Sequence, residues 1–192
     1  DLANIAWQQA NSLPGQISTL IVPADSAWGE FKGNVPKPLK KEEFASIDEQ
    51  LIPNSAEVLK VDNSILYLGG KFLNEECVNL AAKIASKTGC RLVTDTFISR
   101  IRRGEGLPVL EQIPYFAESA ADFLKDSSGI VFIGSRPPVS FFAYPDKKSY
   151  LTPPETNIVN LCSAEQDGLY ALNSLVDETG ANKLNKNLLQ TA

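Results

Sequence analysis

The sequence contains no histidine and no methionine among its 192 residues, and only three cysteines. Without histidine, neither a Ser-His-Asp triad nor a Cys-His pair can be assembled, which excludes the commonest nucleophilic mechanisms. The cysteines, Cys77, Cys90 and Cys162, form no CxxC pair, and scattered thiols do not make a zinc site. We therefore expect three buried, inert thiols in a reducing compartment, which predicts a cytoplasmic protein.

Long apolar runs and a basic surface are also missing. No stretch approaches the roughly 18 apolar residues that a membrane-spanning helix needs, and the first residues do not resemble a signal peptide. The formal net charge is −5, and an acidic surface repels a phosphate backbone. Neither a nucleic acid nor a membrane is therefore expected as a partner.

From residue 61 onward, short apolar segments alternate with helical patterns. The first helix of this region begins at Asn74, a good N-cap, and ends before Gly89, a typical C-terminal stop. A strand, a helix and a strand in this order form a right-handed crossover with parallel strands. The fold class is therefore α/β, with an open, mostly parallel, Rossmann-like sheet and helices on both faces. Strands are predicted over 64–69, 91–95, 129–134 and 157–161, helices over 74–88, 116–124 and 169–180, and irregular structure over 97–112.

The first sixty residues show a different pattern. Residues 1–12 are predicted as a helix, and the β-branched segment 17–22 as a strand. Residues 29–60 show no sustained period and contain a basic cluster, Lys37, Lys40 and Lys41, which indicates a solvated linker. The predicted organisation is a helix and strand in 1–28, a linker over 29–60, a central α/β domain over 61–180 and a tail over 181–192.

Ligands of open parallel sheets bind at the carboxyl ends of the strands. The small residues Gly69 and Gly70 would let main-chain N–H groups approach a phosphate. No GxGxxG motif follows them, however, so a tight strand-to-helix turn is the favoured alternative. The segment Thr94-Asp95-Thr96 is suited to hydrogen-bonding a ribose or to capping the next segment. The guanidinium of Arg136 is suited to a phosphate or to a surface ion pair. The candidate cofactor-binding residues are Gly69, Gly70, Thr94, Gly134, Ser135 and Arg136.

No catalytic or metal-binding residue is predicted. The adjacent carboxylates in the sequence point in different directions on a helix, which does not suit joint acid–base work. The aromatic residues Phe141, Phe142 and Tyr144 are interpreted as an exposed cluster, as packing beneath a loop, or as a contact surface in a larger enzyme.

Two stretches resemble thiamine-diphosphate-dependent enzymes of the acetolactate synthase and benzoylformate decarboxylase type. Residues 20–28, Leu-Ile-Val-Pro-Ala-Asp-Ser-Ala-Trp, are similar to the end of the pyrimidine-binding domain of those enzymes. Residues 65–176 resemble the central domain that follows. The most specific part is 134–145 together with 150–153, where a strand end is followed by Pro-Val, by aromatic residues and by Leu-Thr-Pro.

The resemblance implies a parent enzyme, a carboligase or decarboxylase of a 2-keto acid, with a catalytic domain on either side. An activating glutamate would precede this region, and a Gly-Asp-Gly motif that holds Mg²⁺ and the diphosphate would follow it. The nearest string here is Gln166-Asp167-Gly168. We therefore expect a piece of a longer protein, with thiamine diphosphate and Mg²⁺ in the parent and no cofactor in this chain.

The resemblance leaves two roles open for the central domain. One is a non-catalytic scaffold whose partners are the other domains and subunits of a homo-oligomer. The other is a module that binds FAD or ADP, as in some relatives. The flavin-binding relatives carry Arg-Phe-Asp-Asp-Arg where this chain has Ser135-Arg136-Pro137-Pro138-Val139, so FAD is not favoured.

Overall fold

The computed structural model describes residues 2–31, 33–37, 39–40, 42–143 and 145–191. Lys41 and Tyr144, named above, lie outside the described residues. The chain divides into two compact units, an N-terminal unit of residues 1–44 and a sheet unit of residues 45–192.

The N-terminal unit contains two helices, α1 (Leu2–Asn11) and α2 (Ala24–Trp28), and none of its described residues is buried. The predicted first helix is confirmed. The predicted strand over 17–22 is wrong, because these residues form neither helix nor strand. A strand needs a neighbouring strand to satisfy its N–H and C=O groups, and no described residue pairs with this segment. Its side chains are exposed, Ile17 to 96% and Ile21 to 84%.

The sheet unit is built around five strands. In chain order its elements are α3 (Leu51–Leu59), β1 (Ile65–Leu68), a 3-10 turn (Gly70–Leu73), α4 (Glu75–Thr88), β2 (Arg91–Thr94), β3 (Glu111–Gln112), α5 (Ala117–Leu124), β4 (Gly129–Ile133), β5 (Asn157–Cys162), α6 (Gly168–Thr179) and a 3-10 turn (Lys186–Leu188). The strand order is β3-β2-β1-β4-β5, and every neighbouring pair is parallel. The prediction of an open parallel sheet is therefore confirmed.

Side chains alternate between the two faces of the sheet, so each strand contributes to two cores. Leu66 and Leu68 of β1 belong to a core with residues of α3, α4 and α6. Ile65 and Tyr67 belong to a second core with residues of α5, where the Tyr67 and Phe132 rings lie 4.9 Å apart. Helices therefore cover both faces, as predicted.

The sequence determinants of α4 act as predicted. The side-chain oxygen of Asn74 accepts a hydrogen bond from the N–H of Cys77 at 3.1 Å, which satisfies one free donor of the first turn. Glu75 and Glu76 follow in that turn, where the helix dipole favours negative charge. Gly89 ends the helix with φ 83°, in the left-handed region that glycine adopts most easily.

Three local predictions need correction. Residues 51–59 are helix α3 rather than linker, and Pro53 is tolerated because it lies in the first turn, whose N–H groups have no intrahelical partner. The compact unit begins at Ala45, whose N–H donates to the Glu165 carbonyl at 2.9 Å, and not at residue 61. The segment predicted to be irregular contains β3, which at two residues is too short to show a period.

Candidate functional site

The strand order reverses between β1 and β4, and ligands of such sheets bind beyond the carboxyl ends at this switch point. Three predicted site residues meet here. A Cβ atom on Gly69 would lie 2.7 Å from the Ser135 Cβ and 3.0 Å from the Gly134 carbonyl oxygen. The N–H of Gly69 is already used, since it donates to the Ile133 carbonyl at 3.0 Å. The carboxyl edge of the sheet therefore brings these three predicted residues together, and there they pack against one another.

The ring of Phe72 fills the crevice next to these residues. The 3-10 turn after β1 directs this side chain inward, and it is only 3% exposed. A Cβ atom on Gly168 would lie 2.6 Å from Phe72 Cδ1, and one on Gly134 would overlap Cδ2. Gly134 also has φ 70°, in the left-handed region. The ring therefore lies directly on the main chain just after β4 and at the start of α6, at the edge where open parallel sheets usually bind ligands.

Asp95, directly after β2, places a carboxylate at the same switch point. Its Oδ1 accepts hydrogen bonds from Ser135 Oγ at 2.7 Å and from the Tyr67 hydroxyl at 3.1 Å. Burial raises the pKa of the Asp95 carboxyl, while the hydrogen bonds from Ser135 and Tyr67 lower it. Its Oδ2 would lie 2.6 Å from a Cβ on Gly69. The carboxylate therefore links the ends of β1, β2 and β4 through its hydrogen bonds, and its negative charge would repel a bound anion.

Gly70 borders the same group, because a Cβ atom on it would lie 3.4 Å from the Gly134 carbonyl oxygen, whereas Thr94 does not join it. Thr94 is fully buried, and its main-chain carbonyl accepts from the Ile113 N–H at 3.0 Å. Within the described chain its side-chain oxygen has no hydrogen-bond partner. Arg136 is exposed and, together with Gly134 and Ser135, lines a cavity of about 650 Å³ between the loops that follow β4 and β5. Tyr150, Asn160 and Ser163 line this cavity as well.

A cationic cleft was missed in the sequence. Its volume is about 370 Å³, and it lies beside the start of α4. Lys71, Arg100 and Arg102 line the cleft with Gly70, and Arg102 forms an ion pair with Glu75 on its wall. The available signal was the run Arg100-Ile101-Arg102-Arg103 shortly after a strand end, within the segment interpreted as irregular.

An exposed aromatic cluster surrounds Tyr115. Its ring centroid lies 5.3 Å from that of Phe116, 5.6 Å from Phe141, 5.9 Å from Phe97 and 6.1 Å from Phe142. Phe141 and Phe142 were predicted as part of such a cluster. The other three rings come from loops before and after β3, and the sequence does not show that these loops meet.

The three cysteines are free and buried, as predicted. Burial raises the pKa of Cys90 to about 11 and that of Cys162 to about 12, so both thiols are neutral near neutral pH. Among the described residues, no group of three histidine, cysteine or carboxylate side chains is placed to hold a metal ion. No described helix is long and apolar enough to cross a membrane.

Comparison with known proteins gives a consistent result, although no family model matches the chain. A provisionally assigned acetolactate synthase large subunit from Mycobacterium tuberculosis, IlvX, is 35% identical over 167 residues, which are 85% of this chain and 31% of that protein. A provisionally assigned thiamin diphosphate-dependent enzyme from Mycobacterium smegmatis aligns with 99% of this chain and 39% of its own, at 15% identity and a TM-score of 0.65. Benzoylformate decarboxylase from Polynucleobacter necessarius aligns with 99% of this chain and 38% of its own, at 16% identity and a TM-score of 0.67.

These relatives confirm the predicted resemblance to thiamine-diphosphate-dependent enzymes. The two solved structures share the fold, and the M. tuberculosis protein adds similarity in sequence. The chain spans 31% of the length of that protein and less than two fifths of the two solved chains. The resemblance is therefore to one part of a larger enzyme.

The raised pKa of Asp95 predicts a pH-dependent stability. The folded protein binds this proton more tightly than the unfolded chain, so its contribution is greatest below the unfolded pKa of about 4 and is lost as the pH rises through the folded pKa. In Asp95→Asn the amide oxygen still accepts from Tyr67 and Ser135. We expect the free energy of unfolding of the wild type, measured by urea denaturation, to fall relative to this variant as the pH rises above about 4. Asp62→Asn makes the same substitution at an exposed residue away from the switch point and is the matched control, and a pH-independent offset for Asp95→Asn would contradict the assignment.

Proposed function

We propose that this chain is the non-catalytic middle part of a cytoplasmic thiamine-diphosphate-dependent enzyme that acts on a 2-keto acid. There it would separate the two catalytic domains and contribute to subunit contacts in a homo-oligomer. One observation carries the proposal: the crevice at the switch point is occupied by the chain's own Phe72 ring and Asp95 carboxylate.

The residues present do not fit thiamine diphosphate and Mg²⁺. The string nearest to the family's metal-binding motif is Gln166-Asp167-Gly168. Its Asp167 carboxylate caps α6 by accepting from the Tyr170 N–H at 2.9 Å, and Gly168 lies against Phe72. Both groups are therefore committed to the fold, and the parent's cofactor would have to be held by other domains.

The exposed apolar side chains of the N-terminal unit support a role within a larger protein. No described residue of the N-terminal unit is buried, and even large apolar side chains are exposed, Trp28 to 89% and Val35 to 84%. Apolar side chains of this size are stabilised when they are removed from water, which the unit does not achieve alone. Such a segment suits the end of a neighbouring domain, as the resemblance of residues 20–28 to a pyrimidine-binding domain implies.

The aromatic cluster suits the proposed contacts for the same reason. Tyr115 and the rings around it lie close together and each is at least 41% exposed. Aromatic residues are enriched in the cores of protein interfaces, where they bury a large area at a small entropic cost. The cluster would therefore be covered by another domain or subunit of the parent.

Calorimetry of the full chain tests the scaffold proposal. Titration with thiamine diphosphate and Mg²⁺, with FAD and with ADP should give no heat of binding, and neither pyruvate nor benzoylformate should be consumed. A solved relative such as the P. necessarius benzoylformate decarboxylase serves as the positive control for the thiamine titration and for turnover of benzoylformate. Turnover, or binding of any of the three cofactors with a Kd below about 0.1 mM, equivalent to about 5.5 kcal/mol, would contradict the proposal.

The second candidate function is a module that binds an adenine nucleotide or FAD. The cationic cleft favours it, because Lys71, Arg100 and Arg102 surround a cavity at the carboxyl end of β1. Charge-assisted hydrogen bonds from such side chains are the usual means of holding a diphosphate. The capped start of α4 and the negative charge of Glu75 oppose it, so we rank this function second.

The charge of Arg100 separates the second candidate from the first. If the cleft holds a nucleotide, Arg100→Glu should weaken ADP binding at least about tenfold, because a charge-assisted hydrogen bond is replaced by repulsion. The control Lys87→Glu makes the same charge change in the last turn of α4, outside the cleft, and should leave the affinity unchanged. Equal ADP affinity in all three proteins would reject the cleft as the nucleotide site.

A further inference from the structure

The segment of residues 186–190, here called the strap, runs antiparallel to residues 106–109. Three main-chain hydrogen bonds join the two segments. The Val109 N–H donates to the Leu188 carbonyl at 2.9 Å, the Gln190 N–H to the Leu107 carbonyl at 2.8 Å, and the Gly106 N–H to the Gln190 carbonyl at 3.0 Å. The strap is therefore paired with a loop that the sequence left as irregular structure.

The side chain of Gln190 strengthens this attachment with both ends of its amide group. Its Oε1 accepts from the Gly104 N–H at 2.9 Å, and its Nε2 donates to the Pro108 carbonyl at 3.4 Å. The other end of the strap is anchored on α4, because the Asn185 N–H donates to Ser86 Oγ at 2.8 Å. Leu188 packs against the larger core. The strap thus connects a fixed helix to the loop.

The loop of residues 99–109, here called the arginine loop, has few other restraints. Ile101 packs against the core, and Arg102 is paired with the partly exposed Glu75. One internal hydrogen bond joins the Leu107 N–H to the Gly104 carbonyl at 3.1 Å. Gly104 and Gly106 have φ of 134° and 77°, with no atom within 4 Å of where a Cβ would lie. Two unpacked glycines give this segment a large conformational freedom, which external contacts must restrain.

We propose that the strap is a latch on the arginine loop, so that displacing residues 186–190 frees residues 104–109, the part of the loop that follows the cleft-lining Arg100 and Arg102. The strap itself does not line the cleft. This conformational proposal is independent of the scaffold role. Any effect on a ligand in the cationic cleft would rest on the second candidate function, so hydrogen exchange of the loop is measured without a ligand.

Amide hydrogen exchange, followed by NMR on the full chain, tests the latch. Gln190→Ala removes the two side-chain bonds, and Gln190→Pro also removes the main-chain donor to Leu107. We expect the Gly104 amide to exchange at least about tenfold faster in the alanine variant, and the Gly106 and Val109 amides to follow in the proline variant. Amides of β1 and β4 should keep their wild-type rates in both variants.

Gln8→Ala is the matched control, because Gln8 is an exposed glutamine of α1 whose side chain has no hydrogen-bond partner among the described residues. It should change none of these rates. Unchanged exchange at Gly104, Gly106 and Val109 in both Gln190 variants would overturn the proposal. An equal acceleration in the strands and in the loop would also overturn it, because the strap would then belong to the global folding unit.

Discussion

The contact between the Phe72 ring and the main chain of Gly134 and Gly168 is the constraint on which the carboxyl edge of this sheet depends. A side chain at either glycine would occupy the position of the ring. The ring in turn takes the volume beyond the ends of β1 and β4, which is where open parallel sheets usually place a ligand. A ligand cannot share the volume of the ring, because protein interiors are close-packed, but a cavity of about 650 Å³ lined by Gly134 and Ser135 lies beside it, between the loops that follow β4 and β5.

The charges at this edge, like the packing, disfavour a bound phosphate. The Asp95 carboxylate, held by Ser135 and Tyr67, is an acid where a dinucleotide site would need hydrogen-bond donors for phosphate. The loops around it are fixed by both ends of the sheet unit: Ala45 pairs with the loop before α6, and Gln190 with the arginine loop. Apolar surface remains on the N-terminal unit and the aromatic cluster, and the proposed scaffold role would require such surface for its contacts.

Features that depend on neighbouring residues in the sequence could be predicted, and features that depend on distant ones could not. Asn74 and Gly89 identified α4, and four apolar runs identified the long strands, because capping and burial are local signals. Gly69, Gly134 and Ser135, which were chosen because they follow strand ends, do lie together in the fold. The segment 17–22 has the composition of a strand but no described partner, since pairing is a property of the whole fold. The inward turn of Phe72 and the position of Arg100 depend on loop geometry, which composition does not encode.

A crystal structure of the full chain grown with millimolar ADP tests the closed switch point most directly. Our account predicts that the Phe72 ring remains between Gly134 and Gly168 and that the Asp95 carboxylate keeps its hydrogen bonds to Ser135 and Tyr67. A nucleotide in the cationic cleft would be compatible with this arrangement. A diphosphate lying against Gly69 and Gly134, with the Phe72 ring displaced, would contradict it.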